Sequence, residues 1–512
     1  MTTVNETTGE VSEGGRKTPW LLVGGGVAAA ALIGGGTAAA LMLGGGGDRP
    51  DSVLPGDVAA YAQVDLDPSA GQKVAAVRFF QGLDAEMDER LSDGEWREWV
   101  WEQIEEEGDV PGDVSFQEDI EPWLGDRAGM VVMGAGEGEE PVVAVALQVK
   151  DGDAAMAFLD EHVMEDSEEV GYYLESDYVV FSEADTIEAV RSAAQSGTLA
   201  DNDDFTSDMD DLGEPGVMAM WADLAQSDEI DPAAFDPSLQ MTQEELGMGA
   251  ERPEVAGRMA ATVRLTADAI EMHGISRDVT GMASLPAGGN ADNLVTQLPA
   301  DTAVAMSLEH GDEMVQSLWD LYGEDYAEEL QQATDAAAEQ GFSLPDDLKV
   351  LLGESMTLAV GPGIVDAVTG ISQTDPSVPE LPLVYRATTD TARAQELLND
   401  NGMGAGVLVV REDDGTLSLG TDQAYVDAAA EGGGETLGDS ELFTRAVADA
   451  DEAQSTFFVD VAPFEQYYLP EVEDENARTA LEKLAAVGIS NVTEEGGDSR
   501  FTLRMVADAD AE

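Results

Sequence analysis

The chain has no cysteine and only three histidines, His162, His273 and His310. The first absence excludes disulfide staples, zinc fingers, thiol nucleophiles and iron–sulfur clusters. The second leaves little imidazole chemistry, and the three rings lie far apart in sequence. Positive charge is also scarce. There are 23 Lys and Arg against 106 Asp and Glu, a net charge of −83, and lysine stands only at 17, 73, 150, 349 and 483. A nucleic-acid binder must meet phosphates with clustered Lys and Arg, so that class is excluded. What remains is 512 residues, 43% of them hydrophobic, which is room for two or three domains with proper cores.

Disorder does not explain the acidity, because apolar residues recur with strand and helix periods along almost the whole chain. A folded acidic surface that is screened by counterions is the halophile-like reading. The densest local cluster is Asp201, Asp203, Asp204, Asp208, Asp210 and Asp211. It fails the EF-hand pattern, since Phe205 and Thr206 occupy positions that need Asp or Asn and Gly.

Residues Trp20 to Leu43 carry no charge; six of these 24 are Gly and seven are Ala. That length spans a hydrocarbon core of about 30 Å, and it exceeds the apolar region of a cleavable signal peptide. Arg16 and Lys17 precede the span directly, which predicts a cytoplasmic N-terminus and an outward-facing remainder.

Beyond the span the chain repeats itself. Leu54-Pro55-Gly56-Asp57 returns as Leu298-Pro299-Ala300-Asp301, each followed by an alternating strand, Ala60–Asp65 and Ala303–Leu308. Leu124-Gly125-Asp126 is matched by Leu352-Gly353-Glu354, then by strands ending at Gly134/Gly136 and Gly361/Gly363. Pro-led strands from Pro141 and Pro382 run into helices at Ala154–Asp160 and Ala392–Leu398. Hairpins follow at Tyr172–Ser182 and Gly406–Leu419, the second turning through Asp413-Asp414-Gly415. Asp204-Phe205-Thr206 then answers Leu442-Phe443-Thr444, ahead of the strands Val217–Asp223 and Phe457–Asp460.

The segment from Val53-Leu54-Pro55-Gly56-Asp57-Val58 through Val64-Asp65-Leu66-Asp67-Pro68-Ser69-Ala70-Gly71, with the helix pattern of Gln72–Leu83, resembles the domain of unknown function 3352 family. These are membrane-anchored actinobacterial proteins with a short cytoplasmic start, one span and a Gly-rich stretch. The resemblance runs from about residue 15 to the C-terminus. It implies location and architecture and carries over no catalytic residue, because the family has no assigned activity.

No motif supplies a reaction. Gly353-Glu354-Ser355-Met356-Thr357 lacks the closing Gly and the preceding strand of a nucleophile elbow, since Asp347–Leu352 reads as helix. The Gly-x-Gly pairs complete no phosphate loop, and acidic neighbours such as Glu137 and Asp366 would repel a phosphate. The Asp65/Asp67 pair fits a helix start at Asp67-Pro68-Ser69 better than acid–base work. Trp96, Trp99 and Trp101 read as packing on a helix. His162 and His310 read as surface positions, and His273 as a half-buried strand residue.

These observations predict an α+β fold with an N-terminal transmembrane helix and two tandem related modules, with largely antiparallel sheets and helices packed on one face. The boundaries are 1–19 for a cytoplasmic tail, 20–43 for the span, 44–53 for a Gly-rich linker, 54–280 and 298–508 for the modules, and 281–297 for the linker around Ser284–Asn290. The expected function is a non-catalytic binding or scaffolding ectodomain at the cell envelope, with no cofactor and no metal or catalytic residues. Its partners are the lipid bilayer through residues 20–43 and an envelope protein or ligand. The alternatives are an extracytoplasmic hydrolase using paired carboxylates and a weak divalent-cation binder.

Overall fold

The computed structural model describes residues 48–65, 114–134, 141–162, 170–213, 216–226, 255–266, 269–281, 285–288, 293–323, 327–369, 380–402, 408–432, 434–472, 478, 481–494 and 496–507. The span at 20–43, the tryptophans at 96–101 and the Asp67 helix start lie outside these residues. Among the described residues no helix is long and apolar enough to cross a membrane.

Buried and half-buried residues alternate along β1 (Ala60–Asp65); β2 (Leu124–Met133) and β3 (Val142–Val149) follow without that alternation, then α1 (Gly152–His162) and the hairpin β4 (Val170–Glu175) and β5 (Tyr178–Glu183). Next come α2 (Ile187–Ser196), α3 (Asp203–Asp211), β6 (Met218–Asp223), β7 (Ala256–Leu265) and β8 (Ala269–Thr280). The series continues with β9 (Val304–Glu309), α4 (Gly311–Gly323), α5 (Ala327–Glu339), α6 (Asp346–Leu352), β10 (Ser355–Val360), α7 (Ile364–Thr369), β11 (Leu383–Thr388) and α8 (Thr391–Asp400). It closes with β12 (Val409–Asp413), β13 (Thr416–Gly420), α9 (Gln423–Glu431), α10 (Glu441–Ala446), β14 (Ser455–Asp460), α11 (Glu465–Tyr468), β15 (Leu484–Thr493) and β16 (Ser499–Ala507).

The sixteen strands of the described residues form one antiparallel sheet, so the protein is α+β. The strand order is β4-β5-β3-β2-β1-β6-β7-β8 in the first half and β12-β13-β11-β10-β9-β14-β15-β16 in the second. The two orders are the same, strand for strand. Small features repeat with them: the isolated bridges Pro55–Thr198 and Pro299–Thr436, and the capping boxes Thr198–Asp201 and Thr436–Asp439. The sequence reading expected separate sheets. Instead β16 pairs with β8 over eight residues. Each strand alone would present a row of unpaired backbone groups, and their pairing removes both edges.

Helices cover both faces of the sheet, which corrects the expectation of one. The reason lies in β5, where Tyr178, Val179, Val180 and Phe181 are apolar in succession. Adjacent strand residues point to opposite faces, and strands covered on both sides lose their polar alternation. Val180 joins Tyr61, Val190, Phe205 and Trp221 in one core. Val179 joins Phe116, Trp123, Ala155, Phe158 and Leu159 of the α1 side in another. The second half does likewise: Phe443, Phe458 and Val426 share one cluster, while Ala394, Leu398 and Leu417 share a second. Edge-to-face ring pairs lock the equivalent cores, Phe205 on Trp221 at 5.8 Å and Phe443 on Phe458 at 5.2 Å.

Candidate functional site

The seam between the halves has an internal symmetry that can be read from the register. Trp221 lies opposite Ala260, which lies opposite Ile275. The corresponding Phe458 lies opposite Gly488, which lies opposite Arg504. Ile275 therefore corresponds to Arg504, and two residues earlier His273 corresponds to Thr502. Those two are paired across the seam. A local two-fold axis passes between them, with His273 Nδ1 3.2 Å from Thr502 Oγ1.

Arginine is concentrated around this axis. Arg504 donates to Glu271 at 2.9 Å, with Arg264 3.8 Å from the same carboxylate. Arg277 bridges Asp498 and Asp211 at 3.0 and 2.9 Å, and Arg500 bridges Glu494 and Glu452 at 2.8 and 2.9 Å. Ser276 and Ser499 share a 2.7 Å hydrogen bond. Burial, followed by the Arg264 cation, holds the His273 imidazole below its ordinary pKa.

From the axis a polar row crosses the sheet at one level. Directly paired residues run Thr502, Ser490, Thr456, Ser307, Thr357, Arg386 and Ser418 into the second half. In the other direction the row runs from His273 through Thr262 and Ala219 to Gln63. Neighbours in register share a face, here the face of the Trp221 and Phe458 cores. Ser307 and Thr456 bond each other at 2.7 Å, and Gln63 accepts from the Tyr61 hydroxyl at 2.8 Å.

Arg386 is the one basic residue that is fully buried among the described residues, at 4% exposure. Its Nη1 donates to the Leu294 carbonyl at 3.4 Å and its Nη2 to Gln297 Oε1 at 3.3 Å. Its Nε, and the hydroxyl of its cross-strand neighbour Thr357, have no hydrogen-bond partner among the described residues. Burial lowers the Arg386 guanidinium from its ordinary value.

The residues singled out in sequence are scattered and mostly engaged. Asp65 takes an ion pair from Arg127 at 3.0 Å. Asp201 closes a capping box with Thr198. Asp208 is buried and accepts from Trp221 Nε1 and Arg258 Nε, both at 2.9 Å, while Asp204 lies 3.5 Å from the same arginine. The acidic cluster of 201–211 is thus spread over a cap and ion pairs. Ser355 opens β10 and donates to Glu309 at 2.8 Å. His162 donates through Nδ1 to the Phe158 carbonyl at 3.1 Å. His310, expected at the surface, is half-buried with Nε2 enclosed, because the chain at Gly288 lies against its ring so closely that a Cβ there would stand 2.8 Å from it.

The chain matches no family model, no curated protein and no solved structure. An open cleft of about 580 Å³ lies beside Gln297 and is lined by Asp439, Asp449, Asp451 and Glu452. Three of these carboxylates already have partners: Thr436 for Asp439, Asn293 for Asp451 and Arg500 for Glu452. Among the described residues no group of three or more His, Asp or Glu could hold a metal ion.

Sequence reasoning passed over Arg386 and the hydroxyl row. Their signal was present. Ser307, Thr357, Thr456 and Ser490 stand at inward positions of strands where alternation calls for apolar residues.

Proposed function

We propose that this protein is a single-span envelope protein that displays a duplicated α+β body outside the cell as a non-catalytic binding or scaffolding element. The observation that carries the reading is the uncharged stretch Trp20–Leu43, with Arg16 and Lys17 directly before it and a net −82 in the 462 residues after position 50. The resemblance of residues 53–83 to the membrane-anchored domain of unknown function 3352 family supports the same placement.

The non-catalytic part is supported by how the reactive groups are engaged. Asp65, Asp208, Glu309, Asp347 and Ser355 are all held by internal partners, and a carboxylate fixed in an ion pair is a poor proton shuttle. The cation-binding alternative is not favoured, because Asp201, Asp204, Asp208 and Asp211 already neutralise or cap neighbouring groups.

Protease added to intact cells tests the topology. Residues beyond 47 should be digested without lysis, leaving a short protected N-terminal fragment. A body that becomes protease-sensitive only after lysis would overturn the reading.

A further inference from the structure

The sheet of the described residues ends at β4 on one side and at β12 on the other, and the repeat makes the two strands equivalent. Each belongs to a hairpin with a two-residue turn, closed by Glu175–Tyr178 in the first half and by Asp413–Thr416 in the second. Such a turn makes its closing pair a hydrogen-bonded one. Along an antiparallel ladder, hydrogen-bonded pairs alternate with pairs whose N–H and C=O groups point away from each other. Counting back from the turns, Tyr172 and Leu174 direct their backbone groups out of the sheet on β4, as Val410 and Glu412 do on β12.

The two edges are finished differently. On β12 the Arg411 guanidinium donates to the outward carbonyl of Val410 at 2.9 Å. Glu412 adds a charge to the same edge, held by Thr391 and Gln395 at 2.8 and 2.9 Å. Counted from the turn, Arg411 corresponds to Tyr173 and Glu412 to Leu174. Tyr173 is a core residue and has no cation to fold back on the edge. The sole charge along Val170–Glu175 is Glu175 at its end. Among the described residues nothing bonds the outward backbone groups of Tyr172 and Leu174. An apolar edge left open where its equivalent is capped is a surface for strand pairing.

The surroundings select what pairs there. Asp160 accepts from the Tyr172 hydroxyl at 2.7 Å, and Asp160, Glu175 and Glu183 are all exposed around the strand. The base beside them, Arg191, is laid over the Tyr173 ring at 4.7 Å. A second copy would bring the same carboxylates and another net −83 to the contact, so like charge works against self-pairing.

We propose that β4 is the docking edge of this protein and takes an extended segment of another protein in which apolar residues alternate with Lys or Arg. Such a strand continues the ladder through main-chain hydrogen bonds to Tyr172 and Leu174, and its cations answer Asp160, Glu175 and Glu183. The partner class rests on the reading of this protein as a binding element, whereas the edge itself is independent of the side of the membrane on which it stands.

Residue-resolved hydrogen exchange of the purified full chain tests the edge whatever the topology in cells. The probe is an acetylated and amidated peptide of four Lys-Val repeats. It should slow exchange at Tyr172 and Leu174 by roughly tenfold or more and leave Val410 and Glu412 unchanged. The same peptide methylated on every backbone nitrogen keeps its charge but cannot donate or lie against a strand. A peptide of four Glu-Val repeats keeps the strand pattern and reverses the charge. Neither should protect β4. Tyr172→Pro removes one outward N–H without removing a donor from the ladder to β5, and should abolish protection of Leu174 by the Lys-Val peptide. No protection by that peptide, equal protection by either control peptide, equal protection of β12, or slow exchange at Tyr172 and Leu174 before any peptide is added would each overturn the proposal.

Discussion

At the scale of single residues, buried polar groups set where substitutions will be felt. Asp208 satisfies the Trp221 indole and the Arg258 guanidinium together. Removing it strands the buried indole and leaves Arg258 only the more distant Asp204, so Asp208→Ala should destabilise the chain by about 2–3 kcal/mol, read as a fall in Tm. Replacing Asp210, exposed on the same helix, should leave Tm within about 1 °C. His273 gives a pH signature. Its folded pKa lies below the ordinary imidazole value of 6.5, so below about pH 6.5 the unfolded chain binds more protons than the folded one. Stability must then fall as pH drops from 6.5 toward the depressed value. The neighbours facing the ring are Arg264, Glu271 and Arg500. His273→Thr, which copies the equivalent Thr502, should flatten that slope, as urea melts at pH 5 and pH 7 would show.

At the scale of elements, the decisive contact is β8 against β16. Gly274 packs under Phe501 so closely that a Cβ would stand 2.1 Å from the ring. Gly274→Ala should therefore push Phe501 out of its cluster with Met218, Met220 and Met259, at a cost of roughly 1–3 kcal/mol. Amide exchange should accelerate in β7, β8, β15 and β16 and remain slow in β3 and β11. Uniform acceleration would mean that the seam is not a separable unit. The strands at the two outer edges, β4 and β12, are themselves equivalent. The second is short and ends in Arg411, Glu412 and Asp413, charges that discourage another chain from pairing there.

For the whole molecule, a net charge of −83 works against compaction in dilute buffer. At 1 M salt the Debye length is about 3 Å and most of that repulsion is screened. Raising sodium gluconate from 0.1 to 2 M should increase Tm through screening alone, and potassium should act as sodium does. A flat response would remove the halophile-like reading of the surface. Acid should act in two opposed ways. Protonation relieves surface repulsion, yet it also breaks the pairing of Asp347 with Arg393, whose guanidinium holds that carboxyl below its usual range. The stability from this pair is complete above pH 3.8 and is lost as pH falls through the depressed value. Asp347→Asn should reduce the loss in that window.

The sequence by itself determined the class and the local grammar of this protein. Alternation marked the strand around Ala60–Asp65 and a hydrophobic run ending in Asp marked the one at Val217–Asp223, Asp414-Gly415 marked a tight turn that the structure makes with both residues at positive φ, and motif pairs marked the repeat. Each of these is encoded within a few neighbouring residues. Tertiary structure alone decided that the strands join in one sheet, that helices cover both faces, that His273 meets its own counterpart on a local axis, and that Arg386 is buried. Those outcomes depend on which distant strand an edge finds and in what register. That choice is made by burying edges and apolar faces across some 230 residues of chain, a distance over which residue patterns carry no directional information.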